Sequence, residues 1–281
     1  MSDVPYPPAR QLSVGEVLDL TFHIYRVTVI RCLLLAGFGV IVGQLANFYN
    51  VFTHRTPLAG TPAWDQLVAQ MRDPTMWGLY VIGAVLTAIF YAAVLLRQSA
   101  IISDGAVGSE VGTALRRLPA LIGLGILIGL CALLCVLPTL ITSGAARALL
   151  ALVALVALCY GSVAVSCSPT VLLIEDKGPA ASLARSGRLT TGNFWRLSVI
   201  YTVALIVLLV LYLVSAAVAG FLAGVLGRGD LAMVTAFAEV VGVALGALVT
   251  PFYGALALAV LADLKVRKEG ADLEQRISAT A

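Results

Sequence analysis

Six long apolar stretches, parted by short polar segments, leave this chain only one environment in which to fold. A hydrocarbon layer of about 30 Å takes about 20 helical residues at 1.5 Å each. The stretches at about Val29–Phe48, Met76–Leu96, Ala120–Leu140, Ala148–Leu173, Leu197–Leu222 and Leu231–Leu264 all reach that length. Their apolar runs are continuous rather than alternating, which selects helices over barrel strands, and a helix in lipid satisfies its own backbone polar groups. The sequence therefore predicts an all-α, polytopic membrane protein with six transmembrane helices. Composition agrees: 60% of the 281 residues are hydrophobic and 12% charged, too few charges to build a soluble surface.

The basic residues set the expected orientation. With both termini on the inner face, Arg10, Arg26, Arg31, Arg97, Arg116, Arg117, Lys177, Arg185, Arg188, Arg196, Lys265, Arg267, Lys268 and Arg276 share that face. Only Arg55, Arg72, Arg147 and Arg228 lie opposite. A split of 14 against 4 is what the positive-inside rule asks for, and the reverse threading inverts it. The net charge of +3 is spread in short clusters beside apolar spans, which points to membrane lipids and away from nucleic acid. The segment Met1 to Arg26 carries Asp3, Glu16 and Asp19 and lacks the order of a cleavable signal peptide, so it is expected to stay on the protein.

Three amphipathic segments precede the three outward spans. Ser13 and Glu16 have capping-box spacing, so a helix is expected over about 13–27, with Glu16, Asp19, His23 and Arg26 on its polar face. Similar helices are expected at about 106–118 and 179–190, the third begun by Pro179. The chain thus reads as three pseudo-repeats, each an interfacial helix followed by two spans, ending in a tail over 265–281. A further short helix is expected near Thr61–Met71, between the first two spans.

Motifs that carry chemistry are scarce. Two histidines, His23 and His54, stand without companions, and no zinc-protease, nucleophile-elbow, phosphate-loop or dinucleotide pattern occurs. The five cysteines lie in or at the ends of apolar spans and read as packing residues, so neither metal nor cofactor is expected. Glu239 is the acidic residue set within an apolar segment, and with Gln44 and Asn47 it forms the candidate polar site. Counted from Asp263, it falls 36 Å along a straight helix, about 6 Å beyond the hydrocarbon layer. Pairs at four-residue spacing, Gly39/Gly43, Gly125/Gly129, Gly220/Gly224 and Gly242/Gly246, permit close helix approach within the chain or in a homo-oligomer.

At the front, Arg10, Leu12, Ser13, Gly15, Glu16, Leu18, Asp19, Phe22, Tyr25 and Arg26 follow a pattern R-x-L-S-x-G-E-x-L-D-x-x-F-x-x-Y-R; at the back stands Asp263-Leu264-Lys265-Val266-Arg267-Lys268-Glu269-Gly270. These two stretches resemble a family of bacterial membrane proteins related to the membrane domain of glycerophosphoryl diester phosphodiesterases. Leu261 and Ala262 depart from the aromatic residues usual before that Asp. The resemblance implies a bacterial plasma-membrane location and the six-span layout, but no phosphodiesterase activity, which in those enzymes belongs to a separate soluble barrel for which 281 residues leave no room. Docking of the tail on the first helix is expected through Glu16, Asp19 and Arg26 on one side and Asp263, Lys265, Arg267 and Lys268 on the other. The expected role is a non-catalytic scaffold or accessory component contacting lipids or a membrane partner; the alternative is a transporter or channel for a small molecule or lipid.

Overall fold

The computed structural model describes residues 6–52, 73–103, 105, 108–226 and 231–270, and among these every regular element is a helix. In chain order they are α1 (Val14–Gly43), α2 (Leu45–Phe52), α3 (Pro74–Ile102), α4 (Glu110–Arg116), α5 (Leu118–Ile141), α6 (Gly144–Val165), α7 (Ser168–Ile174), α8 (Pro179–Thr190), α9 (Phe194–Leu226) and α10 (Leu231–Glu269). Six helical stretches are long and apolar enough to cross a membrane, lying in α1, α3, α5, α6 with α7, α9 and α10. The protein is an all-α, multi-pass membrane protein. The expected helix near Thr61–Met71 and His54 lie outside the described residues, as do 106–107 and the tail from 271.

Local sequence explains most of the helix boundaries. Ser13 and Glu16 form the anticipated box: the Glu16 amide donates to Ser13 Oγ at 3.3 Å and the Ser13 amide to Glu16 Oε2 at 2.7 Å. Asp73 caps α3 by accepting the Thr75 amide at 2.9 Å, with Pro74 in the first turn. The fourth span breaks at Ser166–Cys167 because Pro169 has no N–H to offer the Val165 carbonyl. Pro251, by contrast, stays inside α10.

Two boundaries differ from expectation. The first amphipathic segment is not a separate helix: α1 runs unbroken from Val14 to Gly43, since nothing between Arg26 and Ile30 can stop a helix. At the other end α10 continues through Lys265 to Glu269, so the tail begins as helix. The second segment is the short α4, and the third is α8 as anticipated. The second and third units therefore open on a separate short helix, whereas in the first that segment is continuous with the span.

α10 is the central helix. Half of its apolar window is buried, against 6% for each of the third and fourth spans. α10 lies along α1, α1 against α3, and α9 against α10, while α5 and α6 pack mainly on each other. Buried side chains concentrate at the end of the bundle where Ser13 and Glu269 lie, in Leu12 to Ile24, Ala92 to Leu95, Cys167 to Leu173, Leu197 to Ala204 and Phe252 to Leu264. Farther along, the α5–α6 hairpin and α9 present apolar side chains outward, among them Leu134, Leu140, Leu152, Val156, Leu205 and Leu213. The bundle is tight at its terminal end and splays away from it.

Glycines allow the tight contacts. A Cβ on Gly39 would stand 2.9 Å from Phe90 Cβ, one on Gly83 3.0 Å from the Val42 carbonyl, and one on Gly246 2.9 Å from the Val40 methyls. Gly125, Gly129, Gly220 and Gly224 face open space.

Candidate functional site

Polar chemistry gathers where the two chain ends meet. Asp263, near the end of α10, has 1% of its side chain exposed. Its Oδ1 accepts the Leu12 amide at 2.9 Å, and its Oδ2 accepts Arg196 Nη1 at 2.5 Å and Arg267 Nε at 3.0 Å. Both arginines also donate to the Leu12 carbonyl, Arg196 at 2.7 Å, and Arg267 reaches Gln11 Oε1 at 3.1 Å. The segment before α1 has no helix to satisfy its backbone, and this cluster supplies those partners. A buried carboxylate needs compensation, which the two guanidinium groups provide.

A second cluster centres on Glu175, just past α7. It pairs with Arg185 at 2.6 Å, Lys177 at 2.7 Å and Lys265 at 2.9 Å, and Arg185 also binds Glu269. Burial acts to raise the Glu175 carboxyl, but the hydrogen bonds from Arg185, Lys177 and Lys265 outweigh it and hold the group down at about 2. α7, α8 and the end of α10 are thereby stitched together.

Two further arginines work in the same way. Arg97 pairs with the buried Glu110 at 3.2 Å and donates to the Arg31 carbonyl at 3.2 Å. Burial acts to raise the Glu110 carboxyl, but the hydrogen bonds from Arg97 and from the backbone, together with the Arg97 charge, outweigh it and leave the carboxyl lowered. Arg117 caps α7 by donating to the Leu172 and Leu173 carbonyls at 3.0 and 2.8 Å and pairs with Asp176 at 3.0 Å.

Deeper in the bundle Gln98 on α3 is fully buried. Its Nε2 donates to Thr28 Oγ1 at 3.0 Å and to the Pro251 carbonyl at 2.8 Å, tying α3 to α1 and α10. Its Oε1 has no hydrogen-bond partner. That oxygen occupies the space a side chain on residue 254 would fill, 2.1 Å from a Cβ built on Gly254. Glycine at 254 is what lets the amide enter the helix contact.

The expected polar site is only partly assembled. Asn47 Nδ2 donates to Gln44 Oε1 at 2.5 Å, and among the described residues no hydrogen bond joins either to Glu239. The contact of Gly246 with Val40 puts Glu239 and Asn47, each seven residues farther along, at a similar level. Glu239 is half-buried there.

Docking between the chain ends occurs through Asp263 and Arg267 of the expected set, but onto Leu12 and Gln11 rather than onto Glu16, Asp19 and Arg26. Asp263 and Arg267 seize the backbone of Leu12 and the side chain of Gln11. Glu16 turns instead to Arg10 and its own cap, and Asp19 and Arg26 are exposed. Lys265 serves Glu175, while Lys268 is exposed. The reason is geometric: the free donors and acceptors lie on the non-helical segment before Ser13, and not on the helix after it. From sequence alone Arg196 is one of the basic residues of the inner face, and Glu175 and Gln98 carry no signal. An arginine one residue past Trp195 suits a lipid interface equally well, so only the fold reveals its partner.

Chemically these clusters neutralise charge. Each buried carboxylate is held by arginine or lysine, which leaves it poorly suited to proton transfer. Among the described residues no three His, Cys, Asp or Glu side chains gather as a metal site requires. Comparison with family models, with curated proteins and with solved structures gave no match to this chain.

Proposed function

We propose that this protein is a non-catalytic scaffold or accessory component of the bacterial plasma membrane, with both termini cytoplasmic, contacting lipids or a membrane partner. The observation that carries the reading is the closed terminal end. There Asp263, Glu175 and Glu110 are neutralised by arginine and lysine drawn from α3, α8, α9, α10 and the α7–α8 connection, and the side chains between them are apolar and buried. A fixed, electrically balanced end plate suits a part that holds its shape while others bind it. The excess of Lys and Arg at that end supports the cytoplasmic placement. Leu12 of the front motif and Asp263 and Arg267 of the rear one meet in a single cluster, which supports a relation to the phosphodiesterase-associated membrane family.

One observation favours the second reading, a transporter or channel. Arg97, Glu110 and the Arg31 carbonyl form a polar group next to Gln98, which reaches Pro251. If the layer begins at that level, Glu239 lies twelve residues inside it, about 18 Å, as a carboxylate within the hydrocarbon. Purified protein in liposomes carrying an entrapped dye and a fluorescent lipid separates the readings. The scaffold predicts dye release and lipid flip-flop at the protein-free rate. Protein-dependent flux that Glu239→Gln abolishes overturns it in favour of transport.

A further inference from the structure

The six spans join the end plate in two different ways. Four of them enter it as unbroken helices, carrying their plate residues with them: Thr28 in α1, Arg97 and Gln98 in α3, Arg196 in the first turn of α9, Asp263 and Lys265 in α10. α5 and α6 do not. Their neighbours in the plate, Arg117 and the helix α7 that it caps, stand across a gap in the backbone ladder. At the first gap the Arg117 amide closes α4 on the Thr113 carbonyl at 3.1 Å, and the next amide to find a backbone partner is that of Leu121, on the Arg117 carbonyl at 3.0 Å. Pro119 lies between them. At the second, Ser166 bonds the Val163 carbonyl at 3.3 Å, and the ladder resumes with Val171 on the Cys167 carbonyl at 2.9 Å, past Pro169. A proline that leaves a carbonyl unbonded is where a helix bends most easily.

Burial changes at the same two points. α7 buries Ser168, Thr170, Val171, Leu172 and Leu173, five of its seven residues. Across the gap the 22 residues of α6 bury only Ala154, and the 24 of α5 only Leu124 and Thr139. What ties the hairpin to the rest lies near its base: Gly123 against Pro179, Ser186 Oγ donating to the Ala164 carbonyl at 2.6 Å, and the Tyr160 ring 4.9 Å from that of Phe194. Farther out, Leu137, Leu140, Ile141, Leu149 and Leu152 are exposed. A unit with few buried contacts beyond its base, joined to a packed body at two softened junctions, has the construction of a hinged element.

We propose that the α5–α6 hairpin is a rigid arm that swings as one body about the line joining the Pro119 and Pro169 junctions, while the end plate and the other four spans stay fixed. α8 is the clasp that limits the swing, through Pro179 and Ser186. Ile141 stands about 33 Å along α5 from Pro119, so a rotation of about 10° carries the tip about 6 Å. Such a swing widens or narrows the crevice between α6 and α9 on the side away from the plate. The inference rests on the six-span fold and goes beyond the scaffold role, which needs only the fixed plate.

Pulsed electron–electron spin resonance on the full chain in nanodiscs tests the arm. Spin labels attached through p-acetylphenylalanine leave the native cysteines in place, and exposed positions take them without repacking. Val81 on α3 and Ile141 at the tip of α5 report the swing, and Ile122 with Ile141, about 28 Å apart in one helix, is the rigid control. The Val81–Ile141 distances should spread over about 6 Å more than the control. Pro119→Ala combined with Pro169→Ala, which gives both junctions back a donor, should narrow that spread towards the control. Ser186→Ala, which releases the Ala164 carbonyl, should widen it. A Val81–Ile141 distribution as narrow as the control overturns the proposal. So does a broad one that neither variant alters, because the spread would then belong to the whole bundle. Should the proline variant fail to fold, Ser186→Ala decides alone. Either failure leaves the scaffold reading to its own liposome test.

Discussion

Gly254→Ala is a small change with a large expected cost. The new Cβ would stand 2.1 Å from Gln98 Oε1, and a carbon–oxygen contact settles only near about 3.3 Å, so the amide must retreat by about 1 Å. That retreat stretches the 3.0 Å bond to Thr28 and the 2.8 Å bond to the Pro251 carbonyl beyond useful length. Thr28 keeps its own bond to the Ile24 carbonyl, so the orphaned group is the buried amide. Two hydrogen bonds within a membrane bundle are worth about 0.6 kcal/mol each on average, and an unsatisfied buried amide adds about 1–3 kcal/mol. Alanine returns about 1 kcal/mol of helix propensity, so the net loss should be about 1–3 kcal/mol. Reversible unfolding in mixed micelles with rising dodecyl sulfate reads this directly. In a Gln98→Ala background the same Gly254→Ala change should cost nothing or stabilise slightly, because the clashing group has gone. Additive effects of the two substitutions would refute the reasoning, for they would mean that the amide does not occupy the glycine's space.

Asp263→Ala should destabilise by about 3 kcal/mol in the same assay, since it strands Arg196 and Arg267 beside a freed Leu12 amide. Gly83→Ala, whose Cβ would meet the Val42 carbonyl at 3.0 Å, should cost about 1–3 kcal/mol, whereas Gly125→Ala, facing open space, should be neutral or slightly stabilising. The Glu175 carboxyl is depressed to about 2 from the 4.5 of a free glutamate. Its contribution to stability is thus fully present above about pH 4.5 and is lost as pH falls towards 2. Glu175→Gln should flatten the acid limb of stability between those values, measured by midpoint against pH, and an unchanged limb would show that Glu175 does not drive it.

The spans were legible because hydrophobic length is a one-dimensional property, and so was the Ser13 box, because a cap depends on residues three apart. Pro169 and Pro251 show where such reading stops. Both lack the same donor, yet Pro169 stands at a helix break and Pro251 rides within α10, a difference that no local pattern around the two prolines announces. The glycine pairs were equally ambiguous: Gly39 and Gly43 meet α3, while Gly125 and Gly129 meet nothing. Arg196 and Asp263 stand 67 residues apart, and no local pattern announces such a pair. Gln98 was hidden for another reason, since a lone amide near a span's end looks interfacial until three helices are seen to close over it.

The chain's two ends close the bundle through Asp263. Amide hydrogen exchange in nanodiscs, read by mass spectrometry over the peptide covering residues 8–16, tests it most directly, because the Leu12 amide is bound to that carboxylate at 2.9 Å. Exchange at Leu12 should be slow in the wild type and fast in Asp263→Ala, with the α5–α6 hairpin unchanged in both. Fast exchange at Leu12 in the wild type, or protection that survives Asp263→Ala, would contradict it.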